Sequence, residues 1–273
     1  MGELMQIAAN IQAMWAYQSL DNINKELGIR TLRLSTGKKI NSTEEDPAGY
    51  QLARTLERRR RGLEVALQNV ENAQSVLNVA EGGYQNIMDI LQTLKEKATQ
   101  AADYSLSDVQ RSAIQDQVEA LISEIDDIVS ETTFNNDQLI DGGYSGYFQT
   151  GEESSNQLLV SLKDADSAAL GINSINVSSS ASASAAIGTL SSAIDNLASY
   201  IQDVGEFKVR LSSKEQTLSV AITNTEAVRS TIEDADFAKE QMEVMKLQIL
   251  QQTAVASYVQ ANTSPQIVLT LFR

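Results

Sequence analysis

Apolar residues recur along most of the chain at steps of three and four, the spacing that lines one face of an α-helix. Leu4, Ile7, Ile11, Met14, Tyr17, Leu20, Ile23 and Leu27 predict a helix over 4–34, with Trp15 on it, broken by Gly37 and Asn41. The next stretch is stricter. Leu56, Leu63, Val70, Leu77, Tyr84, Leu91 and Ala98 stand seven apart, and Arg59, Ala66, Ala73, Ala80, Ile87 and Leu94 follow the first six by three. An a/d heptad of this length predicts a coiled-coil helix over 48–100, roughly 75 Å long at 1.5 Å per residue. Gly82-Gly83 inside it marks a weak point or a close approach of helices. Ile114, Val118, Leu121, Ile125 and Ile128 predict a second coiled-coil helix over 107–130, with Ser107 and Asp108 as its N-cap.

The texture then changes. Asn, Asp and Gly dominate Thr132–Gly143, which reads as turns. Tyr147–Thr150 and Gln157–Leu162 flank a polar turn and predict a β-hairpin over 147–162, the one convincing β signal. A serine- and alanine-rich linker follows over 173–184. The seam resumes over 186–230 with Leu190, Leu197, Val204, Leu211 and Leu218, and a last helix over 235–262 carries Met242, Met245, Ile249 and Val259. Pro265 is expected to stop it, leaving an apolar tail with Val268, Leu269 and Leu271. The fold class is therefore mostly α: a long coiled-coil helical bundle rod with a small β-hairpin and paired terminal helices. The chain goes out and returns, so 1–40 and 233–273 form two halves of one domain. Residues 41–175 and 186–232 form two halves of another, and 176–185 form a short linker.

The seams over 48–230 can cover one another, whereas the terminal stripes form only a two-helix pair. Such a pair is marginal in water once nucleation and chain entropy are counted. Many copies packing their apolar faces together would stabilise it. Heterologous contacts repeated without closure make a helical polymer.

Composition narrows the chemistry. Acidic residues number 36 against 21 basic, a net charge of −15, which is a poor match to nucleic acid. The chain has no cysteine and no histidine. Disulfides, thiolate metal sites, Ser–His–Asp triads and HExxH zinc sites are excluded, and no enzyme activity, metal or cofactor is expected. Two prolines, Pro47 and Pro265, leave long stretches free for helix, and aromatics are only 5%. No apolar run reaches the length of a membrane span, and Met1-Gly2-Glu3-Leu4 lacks the basic start of a cleaved secretory signal.

Arg33-Leu34-Ser35-Thr36-Gly37-Lys38-Lys39-Ile40-Asn41-Ser42 with Glu45-Asp46-Pro47-Ala48-Gly49 resembles the N-terminal signature of bacterial flagellins. Ile232-Glu233-Asp234-Ala235-Asp236-Phe237-Ala238, Gln248–Gln252, Gln260-Ala261-Asn262, Pro265-Gln266 and Val268-Leu269 are similar to the C-terminal one. The resemblance spans about residues 5–170 and 187–273. It implies an inner domain of two terminal helices, an outer helical domain with a hairpin, and no variable outer domain. It also implies self-assembly into an extracellular flagellar filament and export through the flagellar type III channel without a cleaved signal. An export chaperone on the C-terminal helix and filament cap and hook-junction proteins are the implied partners. Pro47 replaces a usual alanine, which stiffens the loop. Thr93 and Lys97 stand where receptor-stimulating flagellins carry arginine and leucine, so weak or no Toll-like receptor activation is expected. A hook–filament junction protein of the same family is the alternative, and a periplasmic filament is a special case.

Smaller motifs have plain explanations. Arg58–Arg61 point around all sides of a helix and suit ion pairs better than a phosphate backbone. Glu124, Asp126 and Asp127 lack the spacing of a calcium loop and read as a solvated face. The three glycosylation sequons, at Asn41, Asn176 and Asn262, are short enough to arise by chance, and Ser178, Ser179 and Ser180 are the better candidates for surface modification. A glycan-binding module would need an aromatic-lined concave face, which the sequence does not display.

Overall fold

The computed structural model describes residues 10–271, with side chains described through 263. Five helices and four short strands follow in order: α1 (Ile11–Thr36), α2 (Pro47–Ala101), α3 (Asp108–Glu131), β1 (Thr133–Phe134), β2 (Asp137–Gln138), β3 (Ser145–Gln149), β4 (Gln157–Ser161), α4 (Ser180–Glu233) and α5 (Phe237–Leu271). The chain divides into a central unit, Arg59–Thr223, and a terminal unit made of the described residues up to Arg58 and from Asn224. Both boundaries fall inside a helix, so α2 and α4 each contribute to both units.

The central unit is built on the heptad. From Leu63 through Ala66, Val70, Ala73, Leu77, Ala80, Tyr84, Ile87, Leu91, Leu94, Ala98 and Ala101, each a or d position of α2 is buried. Leu190, Leu197, Val204, Leu211 and Leu218 of α4 are buried at the same period. The two helices run antiparallel: Gln74 Nε2 donates to Glu215 at 2.9 Å, Lys208 Nζ pairs with Glu81 at 2.6 Å, and Tyr84 stacks tilted on Tyr200 at 6.2 Å. Ile114, Val118, Ile125 and Val129 of α3 close a third side. Leu56 lies in the terminal unit and is only half-buried. Arg59 departs from the seam and instead pairs with Glu152 at 3.0 Å, because a guanidinium at a d position is stabler solvated and ion-paired than buried.

Local chemistry sets the ends of the elements. Asp46 caps α2 through the Gly49 N–H at 2.9 Å, and Pro47 opens the helix. The proline thus occupies the first helical position, where its missing N–H costs nothing and its fixed φ suits the helix, rather than merely stiffening a loop. Ser107 and Gln110 form a capping box on α3. Buried Arg111 then reaches back to the end of α2, its Nε donating to Ala101 O at 3.0 Å and its Nη2 to Asp103 O at 2.7 Å. The Gly82-Gly83 alternatives separate. A Cβ on Gly82 would meet nothing within 4 Å, whereas one on Gly83 would lie 2.8 Å from Thr132 Oγ1 and 3.0 Å from Ile140 Cδ1. Gly83 is the close approach.

Three expectations need correction. The turn region holds a second, two-residue hairpin, β1–β2, reversed by Asn135 and Asn136, both at positive φ. Asparagine tolerates that conformation and makes the tight turn that pairs such strands. The expected linker is not a loose spacer. Ile175 and Val177 are buried, Gln115 of α3 accepts from Val177 N at 2.7 Å, and α4 already begins at Ser180. Ser179 and Ser182 cap that start reciprocally, a local arrangement that serine-rich composition conceals. Finally, α5 continues through Pro265 to Leu271. A proline deletes one rung and kinks a helix without always ending it, and the residues beyond carry no second breaker.

Candidate assembly surface

The terminal unit pairs α1 with α5 in antiparallel fashion. Asn10 Nδ2 donates to Ala261 O at 2.7 Å, Tyr17 meets Tyr258 at 6.1 Å, Gln251 Nε2 donates to Asn24 at 2.6 Å, and Arg30 pairs with Glu240 at 3.0 Å. Gly37, at positive φ, ends α1. The chain then crosses α4's end: Lys39 N donates to Glu233 O at 2.6 Å, and Ala235 N to Gly37 O at 2.9 Å. The two motifs picked out in the sequence, Arg33–Ser42 and Ile232–Ala238, are therefore one joint.

The seam of this pair is thin. Ala13, Val244 and Leu247 are its buried apolar residues among those described, and Leu20, Ile23 and Leu27 are half-buried. The outer faces are more apolar than the seam. Met14 is 66% exposed, Trp15 62% and Ile249 65%, and Ile11, Met242, Met245 and Val259 are likewise open to water. The expected stripe thus splits into a trio facing inward and seven residues facing outward. Leu4 and Ile7 lie outside the described residues, as do the side chains of Val268, Leu269 and Leu271. Asn10, Ile11, Met14, Trp15, Tyr17 and Tyr258 also line an open groove of about 750 Å³. The sequence does not display this aromatic lining, because Tyr258 joins the α1 aromatics only through the long-range pairing of the helices.

Charge separates the two units. The terminal ranges hold 13 acidic and 11 basic residues, whereas Arg59–Thr223 holds 23 acidic and ten basic. Nearly the whole net charge therefore sits in the central unit, and little long-range repulsion opposes the close approach of terminal surfaces. No helix among the described residues is long and apolar enough to cross a membrane, and no cluster of acidic side chains among them is arranged to hold a metal ion.

Comparison with known proteins identifies this architecture. The bacterial flagellin N-terminal helical region matches residues 7–145, and the flagellin C-terminal helical region matches 187–272. The chain belongs to the bacterial flagellin family. It is 32% identical to the flagellar filament 33 kDa core protein of Treponema phagedenis, over 98% of this chain and all of that one. It is likewise 32% identical to the flagellin of Bacillus subtilis, over 98% and 100%. A solved structure described as a flagellar hook-associated protein from Vibrio parahaemolyticus overlays with a TM-score of 0.60 at 12% identity, covering 70% of this chain and all of that one, a likeness of fold alone. This flagellin is a structural subunit of the flagellar filament, and the hook-junction alternative is no better supported. Its family is structural rather than enzymatic and self-assembles into an extracellular filament. The compact form is that of a minimal flagellin: between the two matched regions lie only the β3–β4 hairpin, the packed loop after it and the first turns of α4.

The hydroxyls of all three expected modification sites make hydrogen bonds. Ser180 Oγ donates to Ala102 O at 2.7 Å, and Ser179 caps α4; Ser178 is exposed, with its hydroxyl on Asn176 at 2.6 Å.

Proposed function

We propose that this subunit polymerises through the outward apolar faces of α1 and α5, with 1–40 and 233–273 forming the filament's inner domain. The supporting observation is the inversion of the usual burial pattern. Met14, Trp15, Met242, Met245, Ile249 and Val259 face water in the single chain while the seam beneath them is thin. Exposed apolar side chains concentrated on one helix pair mark an interface. Polymerisation of the purified full chain onto filament seeds tests it. Trp15, the single tryptophan, is expected to shift its emission to the blue as the filaments grow. An unchanged spectrum across polymerisation refutes burial of α1, and failure to elongate seeds favours the junction reading.

The resemblance to flagellins supports the finer partners. An export chaperone covers the exposed side of α5 before secretion, which proceeds without a cleaved signal, and cap and hook-junction proteins meet the same helices at the filament ends. Thr93 and Lys97 lie half-buried on α2, and purified protein is expected to stimulate a Toll-like receptor reporter weakly. Cell fractionation distinguishes an external filament from a periplasmic one.

A further inference from the structure

The terminal unit buries two carboxylates that an apolar helix pair has no need of. Glu233, the last residue of α4, is 3% exposed, and Glu240, in the first turn of α5, is 6% exposed. Burying a carboxylate is costly unless cations and hydrogen bonds replace its water. Here most of them come from the opposite end of the chain, and Arg229 comes from α4 itself. Lys38 Nζ donates to Glu233 Oε1 at 2.6 Å, Arg229 Nη1 to Oε2 at 2.6 Å, and Arg54 Nη2 stands 3.7 Å away. Arg30 Nη1 reaches both oxygens of Glu240 at 3.0 and 3.1 Å, and Arg33 Nη1 lies 3.6 Å from it.

Four further acids complete the cluster. Glu26 is 3.9 Å from Arg30 and Glu45 3.5 Å from Arg33, while Glu226 and Glu57 are 2.5 and 3.7 Å from Arg229. Asp234, exposed, faces Lys38 only through the backbone bridge. Six carboxylates thus share five cations from α1, the following turn, α2 and α4. Protonating Glu233 takes from Lys38, Arg229 and Arg54 the buried carboxylate that gathers them.

We propose that Glu233 is a proton-operated latch, with Glu240 as a positioning residue that holds the end of α1 beside it. Charged, Glu233 holds the turn after α1 on the α4–α5 turn; protonated, it releases that turn. The motion is local because, among the described residues, the only backbone bonds crossing this joint are Lys39 N to Glu233 O and Ala235 N to Gly37 O. Burial by itself would raise the Glu233 carboxyl, but the hydrogen bonds and charges of Lys38 and Arg229 outweigh it and hold the group below its ordinary range. Its stabilising contribution is complete above the unfolded value, about 4.3, and disappears as pH falls through the lower folded one.

Hydrogen exchange on the full-length monomer tests the latch independently of filament growth. The Lys39 and Ala235 amides are expected to lose at least tenfold in protection factor between pH 7 and pH 3, while Leu77 and Leu197 in the central unit stay protected. E233Q is expected to show the loosened joint already at pH 7, with little further change in acid. E240Q, which leaves Glu233 intact, is expected to lower protection at pH 7 yet retain an acid step. The latch is overturned if Lys39 and Ala235 keep their protection until the central unit loses its own. It is equally overturned if E233Q matches the unaltered chain at every pH.

Discussion

Replacing Ile249 with serine tests the assembly surface with a magnitude set by the structure. The side chain lies on the outer face of α5 and is 65% exposed, so the single chain has already buried about a third of it. Full burial of an isoleucine stabilises by about 1.5–3 kcal/mol, which leaves roughly 1–2 kcal/mol to be gained against a neighbouring subunit. Serine has a helix propensity close to that of isoleucine, so the monomer should be little changed. The critical concentration for filament growth is set by the free energy of adding one subunit, and 1.4 kcal/mol is about a factor of ten. Ile249→Ser is therefore expected to raise it roughly 5- to 30-fold, read as the concentration left in the supernatant after sedimenting filaments. Far-UV circular dichroism and the denaturation midpoint of the monomer should stay where they were. A critical concentration within twofold of the original, with monomer stability intact, would refute burial of this face. A large loss of monomer stability would mean that Ile249 already serves the intramolecular seam.

Two further substitutions probe the central unit. Gly82→Ala and Gly83→Ala are expected to act in opposite directions in urea denaturation: the first gains about 0.5–1 kcal/mol from helix propensity, and the second loses about 1–3 kcal/mol because Thr132 and Ile140 must move. Equal effects would place the close approach elsewhere. Tyr84→Phe removes a hydroxyl that donates to Lys163 O at 2.6 Å and accepts from Lys163 N at 3.0 Å. Leaving that peptide without its partner is expected to cost about 1–3 kcal/mol, and an unchanged denaturation midpoint would show that water takes over both bonds.

The sequence determined the helices and their inward faces wherever one apolar side is matched by a period of seven. Leu63 to Ala101 and Leu190 to Leu218 were legible because each misplaced residue there would put a polar group into a packed seam. The Ser107 cap was legible for a similar reason: its partners lie within one turn. What only the tertiary structure decided is which neighbour covers an apolar position. Leu20 and Met14 both sit on the apolar pattern of α1, yet one faces α5 and the other faces water. Likewise Lys38 and Glu233 read as ordinary charges until a pairing across 195 residues sets them 2.6 Å apart. Periodicity records the direction in which a side chain points along its own helix. The identity of what it meets is fixed by contacts between distant segments, and local spacing carries no record of them.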